Sequence, residues 1–140
     1  MPSPTILLPV DGSDHSTRAT IYAVKMARLM NARLLLLHCH RPFPAKLGEP
    51  YFQKAINTIM AKTDTLMAPF RSMLTEKGIA FEDLVMEGPA GEKICEIAEI
   101  EGCEMIIMGS RGRSELKGLL LGSVAHRVLQ QAQCPVLIVR

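Results

Sequence analysis

Aromatic side chains make up 4% of this 140-residue chain and tryptophan is absent, so the stacking platforms that hold single-stranded nucleic acid are nearly missing. No block of roughly five or more basic residues occurs, and a formal net charge of +2 is too small for a general polyanion binder. Nucleic acid is therefore not an expected partner. No apolar run approaches the roughly 20 residues of a membrane-spanning helix, and the opening Met1-Pro2-Ser3-Pro4 lacks the basic segment of a secretory signal. The four cysteines, Cys39, Cys95, Cys103 and Cys134, form no C-x-x-C pair and no disulfide-framework spacing. The expectation is a cytoplasmic chain with free thiols and no membrane partner.

Signatures of phosphate-transfer enzymes are missing as well. There is no G-x-x-x-x-G-K-S/T, no G-x-G-x-x-G after the first strand, and no order of Ser, His and Asp that suggests covalent catalysis. The turn from Asp11 to Ser16 holds one glycine beside an acid, unlike the consecutive glycines with which adenylating and pyrophosphatase-type enzymes grip pyrophosphate.

What is present is a regular alternation of apolar runs and helical patterns. Thr5–Val10, Arg33–Cys39, Ile79–Met86, Glu104–Met108 and Pro135–Val139 read as strands, the first two nearly continuous in apolar character, as in a parallel sheet buried on both faces. Pro9 removes a ladder donor and belongs at the carboxyl end of its strand. Between the strands, Ala19, Ala23, Met26, Ala27 and Met30 recur at helical spacing after a Ser13 N-cap, with Asn31 as the left-handed stop. Phe52, Ile56, Ile59, Met60, Thr63, Met67, Phe70 and Leu74 make a longer stripe, which Pro69 should kink or restart. Shorter helices are expected around Ile94–Ala98 and from Ser123 to Gln131. Strands alternating with helices imply right-handed βαβ units: a single α/β domain over residues 1–140, an open, twisted, Rossmann-like sheet with helices on both faces.

The densest stretch runs from Met108 to Val124. Gly109, Gly112 and Gly122 stand where a backbone turns sharply or approaches a ligand closely, with positive φ a natural demand at Gly122. Arg111, Arg113 and Lys117 lie between them with Glu115 as the one acid. Exposed amides, a helix N-terminus at Gly122-Ser123 and cations after a strand are what a polyphosphate needs. His38-Cys39-His40 invites a metal reading, but strand alternation puts the histidines on one face and the thiol on the other. Hydrogen-bonded or solvent-facing histidines are the simpler expectation.

Gly109-x-x-Gly112, nine residues, then Gly122-Ser123 matches the pattern G-x2-G-x9-G-S/T. Together with the opening Ile6–Ser13 and the closing Cys134–Val139, the chain resembles the universal stress protein family over its whole length. The resemblance implies strand order 3-2-1-4-5 for the five parallel strands and an ATP-binding regulatory protein that holds nucleotide without rapid turnover. It marks Pro9, Val10, Asp11, Cys39, Met108, Gly109, Ser110, Arg111, Gly112, Arg113, Gly122, Ser123 and Val124 as nucleotide-contacting positions. Amides around Gly112, Gly122, Ser123 and Val124 would take the phosphates, with the Ser123 hydroxyl on a terminal oxygen. Gly109 would lie against the ribose, and Asp11 would face the ribose or a Mg²⁺ ion bridged by phosphates. Capping of the first helix is the competing role for Asp11. Cys39 stands where valine is common in the family, a small apolar exchange in an adenine pocket. Slow hydrolysis, self-phosphorylation on Ser110, Ser114 or Ser123, or adenylation remain alternatives, as does a nucleotide-free interaction module. The apolar fifth strand, expected at a sheet edge, points to a homodimer joined antiparallel through it.

Overall fold

The computed structural model describes residues 2–112, 118 and 120–140. The chain alternates β1 (Thr5–Pro9), α1 (Asp14–Met30), β2 (Arg33–His40), α2 (Tyr51–Glu76), β3 (Phe81–Glu87), α3 (Ala90–Ile100), β4 (Met105–Gly109), α4 (Ser123–Gln131) and β5 (Val136–Val139). The five strands form one parallel sheet in the order β3-β2-β1-β4-β5. The expected elements and order are all present, with strand ends displaced by one or two residues.

The pleat sorts the leucines of the central strands to two cores. Ile6, Leu8, Leu34 and Leu36 pack with Ala19, Ala23 and Ala27 of α1 and Met67, Phe70 and Leu74 of α2. Leu7, Leu35 and Leu37 pack on the other side with Ile94, Ile97, Ala125 and Val128 of α3 and α4. Each such fully buried large side chain contributes about 1.5–3 kcal/mol, which fixes the register, because a one-residue slip would exchange the two sets. Pro9 lies at the end of β1 opposite Leu37, as its missing amide requires.

Helix ends follow local chemistry. The Ser13 hydroxyl accepts the Ser16 amide at 3.1 Å, and Asn31 closes α1 at φ 52°. Of the two outcomes expected at Pro69, the restart does not occur: α2 passes through it as a single helix. Pro69 is on the exposed side, where water can serve the unpaired carbonyl, while buried Met67 and Phe70 on either side hold the helix to the sheet. Met60, assigned to the inner stripe, is 40% exposed.

The two sheet edges differ in chemistry. β3 carries Glu82 and Asp83, paired with Arg33 and Arg71, whereas β5 presents Val136-Leu137-Ile138-Val139, all but Val139 only partly buried. Among the described residues no helix is long and apolar enough to cross a membrane.

Candidate functional site

Strand order reverses between β1, whose chain leaves toward β2, and β4, which pairs on its other side. Crevices open at the carboxyl ends of strands at such a point. A cleft of about 80 Å³ lies there, walled by the ends of β1, β2 and β4 and by the first turns of α3 and α4.

Pro9, Val10, Asp11, Cys39, Met108, Gly109, Arg111, Gly112, Gly122 and Val124 all line this cleft, so three separated sequence stretches converge. Leu37, Ala90, Ile94 and Ala125 complete an apolar chamber around Cys39 and Met108; their ordinary helix and strand patterns give no sign of this. His38 also lines the cleft, and its Nδ1 donates to the Val10 carbonyl at 2.8 Å, tying β2 to the turn after β1. His40 is buried, with Nδ1 on the Arg41 carbonyl at 2.6 Å. Both histidines are thus engaged with backbone, and no metal-holding group of three His, Cys, Asp or Glu exists among the described residues.

Other positions of the glycine stretch serve the fold. Ser110 is 2% exposed: its amide donates to the Val139 carbonyl at 2.7 Å, its carbonyl accepts the Gly122 amide at 2.6 Å, and its Oγ lies 3.3 Å from His15 Nδ1. It therefore joins β5, the glycine loop and α1, and is closed to solvent. The Gly122 amide, expected on a phosphate, instead closes the loop on Ser110. Gly122 has φ −74°, so positive φ is not its reason; of the glycines around the cleft it is Gly12, at φ 84°, that needs the left-handed region. Ser123 is exposed, outside the cleft lining, and Arg113, Ser114, Glu115 and Lys117 lie outside the described residues. Gly109 is required by packing: a Cβ there would stand 2.7 Å from His15 Cβ and 2.9 Å from the His15 carbonyl carbon.

The helices that open on the cleft are not electrostatically alike. The first turn of α1 is capped by Ser13 and carries Asp14, and Asp11 Oδ1 accepts the Ser13 amide at 2.9 Å, an Asx turn rather than the cap itself. α3 carries Glu92 in its first turn. α4 has neither a capping side chain nor an acid in its first turn, and Val124 and Ala125 there border the cleft. A helix N-terminus of this kind favours an anion, and Arg111 also lines the cleft. Burial, then the Arg18 and Arg111 charges, hold His15 below its ordinary pKa against the opposing pull of Asp11 and Asp14, so it is neutral at pH 7. Burial pushes the Cys39 thiol up to about 11, keeping it protonated and effectively apolar.

Residues 3–140 match the profile of the Universal stress protein family. A universal stress protein of Thermus aquaticus, encoded in the QAH/OAS sulfhydrylase 3′ region, is 39% identical over 137 residues, covering 97% of this chain and 98% of its own. The solved structure of MJ0577 of Methanocaldococcus jannaschii superposes with a TM-score of 0.87 at 31% identity, covering 98% of this chain and 95% of that one. A universal stress protein from Archaeoglobus fulgidus, solved in complex with dAMP, shares the fold with a TM-score of 0.74 at 19% identity, over 99% of this chain and 98% of that one.

Proposed function

The chain belongs to the universal stress protein family, and from that premise we propose that it binds an adenine nucleotide, ATP with Mg²⁺, in the cleft at the β1/β4 crossover. The observation that carries this reading is an apolar lining and anion-attracting groups in one cleft: Cys39, Ala90, Ile94 and Met108 together with Arg111 and the first turn of α4, whose N-cap has no side-chain hydrogen bond. The base fits the chamber, where a protonated thiol is no worse than a methyl-bearing side chain. Phosphates belong on the first-turn amides of α4 and on Arg111. Asp11, fixed by the Ser13 amide, repels phosphate and so suits the ribose hydroxyls between the two regions, or a metal ion delivered with the nucleotide. With no protein cluster to hold Mg²⁺ by itself among the described residues, the ion would arrive on the phosphates with Asp11 as a single carboxylate ligand, a normal arrangement for Mg²⁺. Mg²⁺ would supply charge neutralisation between Asp11 and the phosphates.

The protein holds its nucleotide as a signal, with turnover below about 1 per second, the low end of ordinary enzymes. Of the serines considered for self-phosphorylation, Ser110 is excluded as an acceptor in the folded protein by its burial. A homodimer through β5 completes the proposal: β5 is the apolar sheet edge and β3 the charged one.

The test is identification by mass of nucleotide released on denaturing the purified protein, with calorimetric titration of ATP and adenosine. The expected result is ATP binding that Arg111→Ala weakens about tenfold, the lower range for a charge-assisted contact, with adenosine affected much less. No binding of either at millimolar concentration would overturn the assignment.

A further inference from the structure

A second depression meets the first at the carboxyl edge of the sheet. It spans about 830 Å³ between the end of β2 and the middle of α2 and shares Asp11, His38 and Cys39 with the nucleotide cleft. Its charged lining, apart from Asp11 at the junction, is Arg41 and Lys62. Both are exposed, and neither has an ion-pair partner among the described residues. The neighbouring charges are engaged: Asp64 with Arg71, and the Glu87 carboxylate with the Phe43 amide. The base of Arg41 is anchored, since its carbonyl accepts from His40 Nδ1, the His40 carbonyl accepts the Gly88 amide at 2.7 Å, and the His40 ring packs on Phe43 at 4.7 Å. Two unpaired cations thus line a groove whose entrance is the position assigned to the ribose hydroxyls.

We infer that this groove is a second anion subsite, and that the ligand it selects is an adenine nucleotide carrying an additional phosphate on its ribose 2′ or 3′ oxygen. The inference rests on the proposed placement of base, ribose and 5′-phosphate. A ribose hydroxyl at Asp11 has the first cleft on one side and the groove on the other. A phosphate there would be repelled by Asp11 alone, and Arg41 and Lys62 outnumber that carboxylate. Arg41 can grip such a phosphate through two parallel hydrogen bonds, with Lys62 as a point charge.

Dissociation constants of 5′-AMP, adenosine 2′,5′-bisphosphate and adenosine 3′,5′-bisphosphate, measured by calorimetry, test this on the wild type and on Arg41→Ala/Lys62→Ala. One bisphosphate is expected to bind at least about tenfold more tightly than 5′-AMP, 1.4 kcal/mol, and the advantage should shrink with salt because the cations are exposed. In the double variant the ratio of the two constants should fall to near one. If 5′-AMP binds and neither bisphosphate gains, or if the gain survives in the double variant, the subsite is wrong while the nucleotide cleft stands. If none of the three binds, both readings fail.

Discussion

Gly109→Ala separates the demands of the fold from those of a ligand. An alanine Cβ would lie 2.7 Å from His15 Cβ, 2.9 Å from the His15 carbonyl carbon and 3.0 Å from its oxygen. Two of those three atoms are backbone, held in the first turn of α1, which is itself fixed by the Ser13 cap and the Asp11 turn. No rotamer change relieves the contact, so α1 must move off β4. Overpacking of this kind costs about 1–3 kcal/mol. For a domain of this size each kcal/mol is worth roughly 3–5 °C in Tm, so a loss of about 5–10 °C is expected in nucleotide-free protein. Gly78→Ala is the comparison: its φ is +69° and a Cβ there would meet no atom within 4 Å, so only the left-handed strain, about 1–2 kcal/mol, applies. His15→Gly in the Gly109→Ala background removes the 2.7 Å contact but leaves the two backbone contacts, so recovery should be partial. Thermal unfolding followed by circular dichroism, without ligand, reads these variants against wild type. A Gly109→Ala protein melting within about a degree of wild type would refute the packing argument and return Gly109 to a purely ligand-facing role.

Asp11→Asn should leave ATP binding less dependent on Mg²⁺ than in wild type, measured by titration with and without EDTA; a wild type indifferent to EDTA would make Asp11 a ribose contact alone. The Cys39 thiol, raised to about 11, should react with iodoacetamide roughly a hundredfold more slowly at pH 8 than an unperturbed exposed thiol, accelerating about tenfold per pH unit up to its pKa. Peptide mass spectrometry follows this, ATP should slow it further, and a free-thiol rate at pH 8 would contradict the buried placement. At the β5 edge, Ile106 donates to Pro135 and Ser110 to Val139; alternation then turns the Leu137 and Val139 amides toward β4 and those of Val136 and Ile138 outward. Ile138→Pro should therefore abolish a β5-mediated dimer without breaking the β4 ladder, read by light scattering on size exclusion, and a wild type monomeric at tens of micromolar would remove the dimer.

Local chemistry makes most of the fold legible in the sequence. The run Leu34–Leu37 has to be covered on both faces, Ser13 announces the start of α1, and Asn31 its end, because each acts through neighbours within four residues. Pro69 marks the limit of that local reading. Its missing amide is a local fact, but the continuity of α2 rests on Met67, Phe70 and Leu74 in the core, a tertiary contribution that exceeds the local penalty. Residues lining the groove beyond Cys39 are equally illegible, since Arg41 and Lys62 come to line one groove only when α2 folds back on the end of β2.

The glycine stretch shows how one pattern can encode two kinds of requirement. Gly109 gives way to the backbone of His15, and the Gly122 amide closes on Ser110; neither demand involves a ligand, yet both shape the rim of the cleft. Because Gly122 is held at the N-cap of α4 by that bond and has no side chain, the first turn of α4 begins without an internal acceptor. A serine or aspartate at this position could cap the helix from within and compete with a phosphate for the same amides. The glycine therefore matters less for flexibility than for leaving the N-cap of α4 without a side-chain acceptor, in a cleft that Arg111 also lines. α1, by contrast, has its first turn capped by Ser13 and carries Asp14 there.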